Sequence, residues 1–364
     1  MSEPSQDQRL AQPTTHIDRD GTVHVHGLRL PPSGLWSAEY RAFHNSCAAA
    51  KPATEFPAPA RNAPKSEWDR FDSWWEQRTN VVLLKKVRSR YPVEVSEKTI
   101  AGVRVAVIEP KQGPAKRNER RVLVNLRGGG FVYNRGLSFG QIESIPVAAI
   151  GGFRIVTLDY RQAPFHSFPA ASEDVAAVYS ELLREHSPET IGIFGSSAGG
   201  TLVAQSVAWL HAAGLPRPGA IAISGIAPMP CCDRPPWGDG WGDSGVWFSG
   251  LLPKNEMSPF DTASWEPVLW YMTGASTDDP LAYPGGSDAV LARFPPTLLL
   301  SGTRDFAVSS VVFSHARLLK LGVDASLYIM EGAGHLAHVV AAGTPEAHDA
   351  QTCIANWFDS RLGT

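Results

Sequence analysis

The stretch "GIFGSSAGGT", residues 192–201, is an apolar run that stops in a knot of small residues and resumes as "LVAQSVAWL" (202–210). The first part reads as the end of a buried strand and the second as the start of a helix, with Ser197 at the apex of Gly195-Ser196-Ser197-Ala198-Gly199. A strand that turns so sharply into a helix needs glycine on either side, because a Cβ there collides with neighbouring backbone. This G-x-S-x-G corner lifts a serine hydroxyl above a sheet edge and aims the helix N-terminus at whatever binds there. Ser196 is the neighbouring rival hydroxyl, one residue off the apex.

Working outward, the pattern around the corner repeats. Strand-like runs lie at "RVLVNL" (121–126), "FRIVTLDY" (153–160), "IGIFG" (191–195), "AIAISG" (220–225), "PTLLLSG" (296–302) and "ASLYIM" (325–330). Helical patterns alternate with them near 139–150, 170–185, 198–213, 307–321 and 344–361. Near-continuous apolar strands separated by helices predict an α/β fold with a mostly parallel sheet covered on both faces. "VEVSEKTIAGVRVAVIEP" (93–110) alternates about a turn and predicts a β-hairpin ahead of it.

Two regions break the rhythm. Residues 1–90 read as loop-rich, with "KPATEFPAPARNAP" (51–64) as a connector, and then "SEWDRFDSWWEQR" (66–78) as an amphipathic helix. That helix puts Trp68, Phe71 and Trp75 on one face, a stripe read as packing, with Ser66 as its cap. Residues 226–295 form a long connection rich in Trp, Gly and Pro, including Trp237, Trp241, Trp247, Trp265 and Trp270. A structureless loop of that length does not suit a compact domain. The expected organisation is therefore an N-terminal segment 1–90 and an inserted segment 229–284 that together form a cap, over a body made of 91–228 and 285–364.

The 364 residues carry 33 basic and 36 acidic side chains, a net charge of −3, which draws the chain to neither nucleic acid nor an anionic membrane. The four cysteines, at 47, 231, 232 and 353, read as free thiols of a reducing compartment. The polar start and the lack of a long apolar run predict a cytoplasmic protein without a membrane span.

A serine needs a base and an acid that orients it. In the order serine, acid, histidine, each on a loop after a later strand, "PTLLLSGTRDFAV" presents Asp305 and "SLYIMEGAGHLAH" presents His335. Asp305 also suits a helix N-cap, and His335 a surface turn. His338 is the rival base; Asp278, Asp279 and Asp288 are rival acids that precede the strand. "HVH" (24–26) lacks further ligands at metal spacing, so neither metal nor cofactor is expected. Finally, "VLVNLRGGGFVYNRG" places Gly128, Gly129 and Gly130 after the first parallel strand. Gly128, Gly129 and Ala198 are expected to offer backbone N–H groups to an oxyanion, each worth about 3 kcal/mol of barrier lowering.

Together "RGGGFVYNRG", "GSSAGG", "LDYRQAPFHSFPAASEDV" and "GTRDFAV…GAGHLAH" resemble the hormone-sensitive-lipase-like (family IV) bacterial carboxylesterases of the α/β-hydrolase superfamily, over roughly residues 92–362. The resemblance implies an α/β-hydrolase fold with an eight-stranded sheet, a cap from the N-terminal region plus an insertion after the sixth strand, and a homodimer as a common assembly. It also implies hydrolysis of small-molecule carboxylic esters through an acyl-enzyme, and the tryptophan-rich cap suggests an apolar or aromatic pocket that fits short- to medium-chain or aromatic esters better than long triglycerides. An amidase or lactonase using the same residues stays open, as does a receptor-like binding protein, the role of plant gibberellin receptors that have lost the histidine. Three positions depart from the family. Arg127 stands where it has His, Ser196 where it has an acid or Thr, and Ser309 where it has a second Asp. Asp159 and Arg161 read as structural.

Overall fold

The computed structural model describes residues 14–19, 23–26, 31–49, 58–228 and 270–364. The chain divides into two units, Met1–Gly34 and Leu35–Thr364. The first contains an antiparallel pair, β1 (Thr14–Ile17) and β2 (Val23–His26), with His16 opposite His24.

The second unit is built on an eight-stranded sheet in the order β10-β9-β8-β7-β5-β6-β4-β3. Strands β3 (Val93–Ile100) and β4 (Val103–Pro110) form the antiparallel hairpin, and β4 also runs antiparallel to β6 (Arg154–Leu158). The other pairings, through β5 (Val122–Leu126), β7 (Ile191–Ser196), β8 (Ala220–Ser224), β9 (Thr297–Gly302) and β10 (Ala325–Met330), are all parallel. These six parallel strands are the apolar runs picked out in the sequence.

Side chains alternate across a strand, so each strand feeds two cores. Val122, Val124 and Leu126 of β5 join Val175 of α5 (Ala170–Leu182), Leu202 of α6 (Ala198–Ala212) and Val311 of α8 (Val308–Lys320) on one face. Leu123 joins Ile142 and Ile145 of α4 (Ser138–Gly151) and Ile354 and Phe358 of α10 (Pro345–Arg361) on the other. Both faces are covered, as a parallel sheet requires. Two short helices, α7 (Asp288–Leu291) and α9 (Ala337–Val340), lie in the loops before β9 and after β10.

The region before residue 90 is more helical than its sequence suggests. It holds α1 (Ala38–Ala49), α2 (Lys65–Trp75), a π-helical turn at Glu76–Asn80 and α3 (Val81–Arg90). Ser66 does not cap α2: the helix starts one residue earlier, after Pro64, with no side-chain cap. Proline just before or at the first turn needs no N–H partner, which is why the start shifts. Of the expected inserted segment 229–284, residues 229–269, with Trp237, Trp241, Trp247, Trp265, Cys231 and Cys232, lie outside the described residues; so do residues 51–57 of the connector. No helix among the described residues is long and apolar enough to cross a membrane.

Candidate active site

Ser197 sits between β7 and α6 with φ 51° and ψ −124°, a left-handed conformation that non-glycine residues rarely adopt. Such a backbone costs on the order of 1–3 kcal/mol and persists only where the surroundings impose it. They do here. The Ser197 N–H donates to the Ser224 carbonyl at 2.8 Å, and the turn is pressed on the end of β5. A Cβ at Gly195 would lie 2.5 Å from the Leu126 carbonyl oxygen, and one at Gly199 would run straight into the same oxygen. The two glycines are therefore what lets the corner close over β5.

Two later loops bring an imidazole and a carboxylate to this hydroxyl. His335, after β10, has Nε2 3.1 Å from Ser197 Oγ and Nδ1 3.0 Å from Asp305 Oδ1, after β9. The carboxylate can only accept, so the ring proton belongs on Nδ1 and Nε2 is left to accept from the serine. Asp305 is 1% exposed, and two further donors hold it: the Ser301 hydroxyl on Oδ2 and the Ala307 N–H on Oδ1, each at 3.0 Å. Asp305 is not the N-cap of α8, which is Ala307 with no side-chain cap; the Ala307 bond closes a turn ahead of the helix, and the same oxygen serves His335. The imidazole stacks on Phe306 at 4.4 Å between centroids, and Gly225 makes room for it. A Cβ on Gly225, at φ 64°, would sit 2.9 Å from His335 Cε1.

The glycine loop is anchored from behind by Arg127, which is fully buried. Its Nε donates to the Gly136 carbonyl at 2.9 Å, Nη1 to Gln162 at 2.6 Å and Nη2 to Asp159 at 3.1 Å. Asp159 also accepts from the Gly136 N–H at 2.9 Å. Arg127 thus closes the 127–136 loop on itself, and Asp159 is part of that closure. Arg161 instead pairs with Glu173 and Asp174, away from Ser197.

The structure corrects the expectation for Gly128. Its N–H is already donated to Oε1 of Glu143, at 3.1 Å, and is not available to an oxyanion. The N–H groups of Gly129, Gly130 and Ala198 have no acceptor among the described residues. Glu143 also accepts from the Ser196 hydroxyl on the same Oε1, and from Asn125 Nδ2 on Oε2 at 2.9 Å. Burial raises its carboxyl to about 7 against those three donors and the nearby Arg127. Ser196, the rival nucleophile, is thereby turned to Glu143.

The rival base and acids fall elsewhere. His338 lies buried in α9 and has no bond to Ser197; burial, with help from His335, lowers it to about 4, so it is neutral. Asp288 pairs with Arg317, and Asp279 caps its own turn through the Leu281 N–H. Residues the sequence reading passed over are Glu143, Asn125, Gln162, Gly225 and Phe306. Their one sequence signal is a lone carboxylate, Glu143, in the otherwise uncharged "SFGQIESIPVAAIG". Among the described residues no three His, Cys, Asp or Glu side chains cluster as metal ligands would.

The model of a family described as having the alpha/beta hydrolase fold matches residues 123–339, which span β5 to α9. Among curated proteins, an "Acetyl-hydrolase" of Streptomyces hygroscopicus is 27% identical over 237 residues, 64% of this chain and 74% of that protein. Among solved structures, "esterase E25" aligns with a TM-score of 0.74 at 28% identity, covering 93% of this chain and 99% of that one. An esterase from the bacterial hormone-sensitive lipase family aligns with a TM-score of 0.69 at 22% identity, over 90% and 99% of the two chains, a likeness of fold. The chain belongs to the α/β-hydrolase family, on its hormone-sensitive-lipase-like branch.

Proposed function

We propose that this protein is a serine carboxylesterase that cleaves esters through an acyl-enzyme, with Ser197 as nucleophile, His335 as base and Asp305 as its orienting acid. The observation that carries the reading is the unbroken line from Ser197 Oγ through His335 to Asp305, at 3.1 and 3.0 Å. His335 Nε2 takes the hydroxyl proton as Oγ attacks the ester carbonyl carbon, and Asp305 steadies the imidazolium. The oxygen that becomes negative is held by the N–H groups of Gly129, Gly130 and Ala198, a set that replaces Gly128 with Gly130. His335 then protonates the departing alkoxide. Water, deprotonated by His335, attacks the acyl-enzyme, and the carboxylic acid leaves as Ser197 regains its proton. The names borne by the acetyl-hydrolase and the esterases this chain resembles support esters as the substrate class.

The acyl side is short to medium or aromatic in this reading. What supports an apolar surrounding is aromatic: Trp68 of α2 and Trp270, the first described residue after 269, meet edge to face at 6.0 Å and are both buried. An ester panel of p-nitrophenyl acetate, butyrate and longer homologues, run on the wild type and on Ser197→Ala, tests both points. The expected result is turnover that peaks at or below the octanoate and vanishes in the variant. Undiminished turnover by Ser197→Ala would reject the nucleophile, and a maximum at the laurate or beyond would reject the acyl preference.

A further inference from the structure

The mechanism just described has no use for Glu143, yet the residue carries one of the costlier features of the molecule. A carboxyl buried to 5% exposure loses its hydration and must be compensated by donors. Three are supplied, and they come from separate elements. Gly128 opens the loop after β5, Ser196 ends β7, and Asn125 lies in β5 itself and passes the chain on by accepting from the Thr157 hydroxyl of β6 at 2.6 Å. Glu143, on α4, therefore joins a helix to three adjacent central strands directly behind the site.

Two of these partners are sequence neighbours of groups the hydrolysis needs. Gly128 precedes Gly129, whose N–H is unspent, and Ser196 precedes Ser197. We infer that Glu143 is a positioning residue for ester hydrolysis: by holding the Gly128 N–H and the Ser196 hydroxyl on a single oxygen, it sets the spacing between the oxyanion loop and the nucleophile. This rests on the esterase reading and adds to it a residue that never touches substrate.

The physical case is one of tolerance. Donors stabilise an oxyanion only when they lie about 2.7–3.1 Å from where it forms. A drift of about 1 Å from productive geometry costs about a hundredfold in rate. A run of three glycines has no side chains with which to hold itself. Arg127 anchors the far end of the loop at Gly136 and Tyr160 holds the Arg127 carbonyl, while at Gly128 itself the N–H is held by Glu143 at 3.1 Å and the carbonyl only by a long 3.5 Å contact from Asn134 Nδ2. What the clamp requires is an acceptor oxygen, not a charge. Both bonds fall on Oε1, so a carbonyl oxygen in that place can accept them, provided Asn125, which donates to Oε2, turns its amide to offer its oxygen to the new NH2.

The test uses the full chain and p-nitrophenyl butyrate, with thermal melts to establish folding. Glu143→Ala should lower kcat about a hundredfold with KM within about twofold, because binding of the ester is untouched while its activated form loses its donors. Glu143→Gln, which keeps the acceptor, should recover kcat to within about threefold of wild type. Glu143→Asp draws the acceptor back by one methylene and should lose about tenfold in kcat; Ser196→Ala, which removes one arm of the clamp, should lose severalfold. A folded Glu143→Ala with wild-type kcat overturns the inference, as does a Glu143→Gln no faster than Glu143→Ala. Should Glu143→Ala not fold, the Asp and Ser196→Ala variants decide it: wild-type kcat in both overturns it. Activity that survives Ser197→Ala would instead strike the esterase reading, which separates the two failures.

Discussion

The guanidinium of Arg127 lies 4.4 Å above the ring of Tyr160, and the Tyr160 hydroxyl returns a 2.7 Å hydrogen bond to the Arg127 carbonyl oxygen. Side chain and backbone of one residue are thus held by one neighbour, at the point where β5 becomes the glycine loop. A planar fork with five donors is what lets a single buried side chain reach Gly136, Gln162 and Asp159 while stacking on an aromatic face. Arg127→Ala would take the donor from the Gly136 carbonyl and the Gln162 oxygen and the cation from the Tyr160 ring, and would leave Asp159 with the Gly136 N–H and Arg104. We expect a loss of about 3 kcal/mol in unfolding free energy, and Arg127→Lys to rescue little of it. Denaturant unfolding measures both; a Lys variant as stable as wild type contradicts the fork argument.

Asp305 acts on His335 through the position of a proton. Asp305→Asn keeps the size but replaces an obligate acceptor with a group that also accommodates the wrong imidazole tautomer. Turnover is expected to fall by about 10⁴ with little change in the melting temperature, by analogy with the same change in serine proteases. A fall below tenfold in a folded variant would remove Asp305 from the account.

Gly225 is expected to be intolerant for a reason outside its own loop. An alanine there meets the His335 ring 2.9 Å away and needs a backbone φ of 64°. Gly225→Ala should cost about a hundredfold in kcat by displacing the imidazole, and the pH at which the acid limb of kcat/KM falls should shift. Unchanged kcat and an unchanged profile would show that the ring has room.

Stability should carry two opposed pH trends. Glu143 rises from an ordinary 4.5 to about 7, so between these values the folded chain holds a proton the unfolded one releases. Its contribution therefore falls as pH rises through that window, by about 3 kcal/mol in all. His338 falls from 6.5 to about 4, so there the unfolded chain holds the extra proton. Its contribution is present above 6.5 and is lost as pH falls towards 4, by a similar amount. The wild type should consequently be nearly flat between about pH 4.5 and 6.5. Glu143→Gln should expose the rising His338 trend, and His338→Gln the falling one. Unfolding free energies at pH 5 and pH 7 for the three proteins measure this; parallel behaviour in all three contradicts it.

What the sequence made legible follows from where the information lies. The six parallel strands announce themselves because strands buried on both faces are apolar throughout, and "GSSAGG" announces a corner because few residues tolerate one. The strand-end positions of Asp305 and His335 follow from the same alternation. Helices α1 and α3 were hidden because neither shows a clean apolar stripe, although Ser37 caps α1 by accepting from the Tyr40 N–H at 3.0 Å; α3 has no side-chain cap and buries Val87 alone among its residues. Ser66 misled because a capping residue type is no guide when Pro64 starts the helix. Gly128, Gly129 and Gly130 cannot be told apart by composition. Which N–H is spent depends on Glu143, fifteen residues further on, and on a helix packing against the opposite sheet face from α6. That contact exists only in three dimensions.

The most direct test is covalent. A fluorophosphonate mimics the tetrahedral adduct, so the wild-type chain should gain one equivalent, mapped by peptide mass spectrometry to Ser197, and His335→Ala should react at least a hundredfold more slowly. A chain that takes up no label, or takes it on Ser196 at a rate indifferent to His335, would contradict the account.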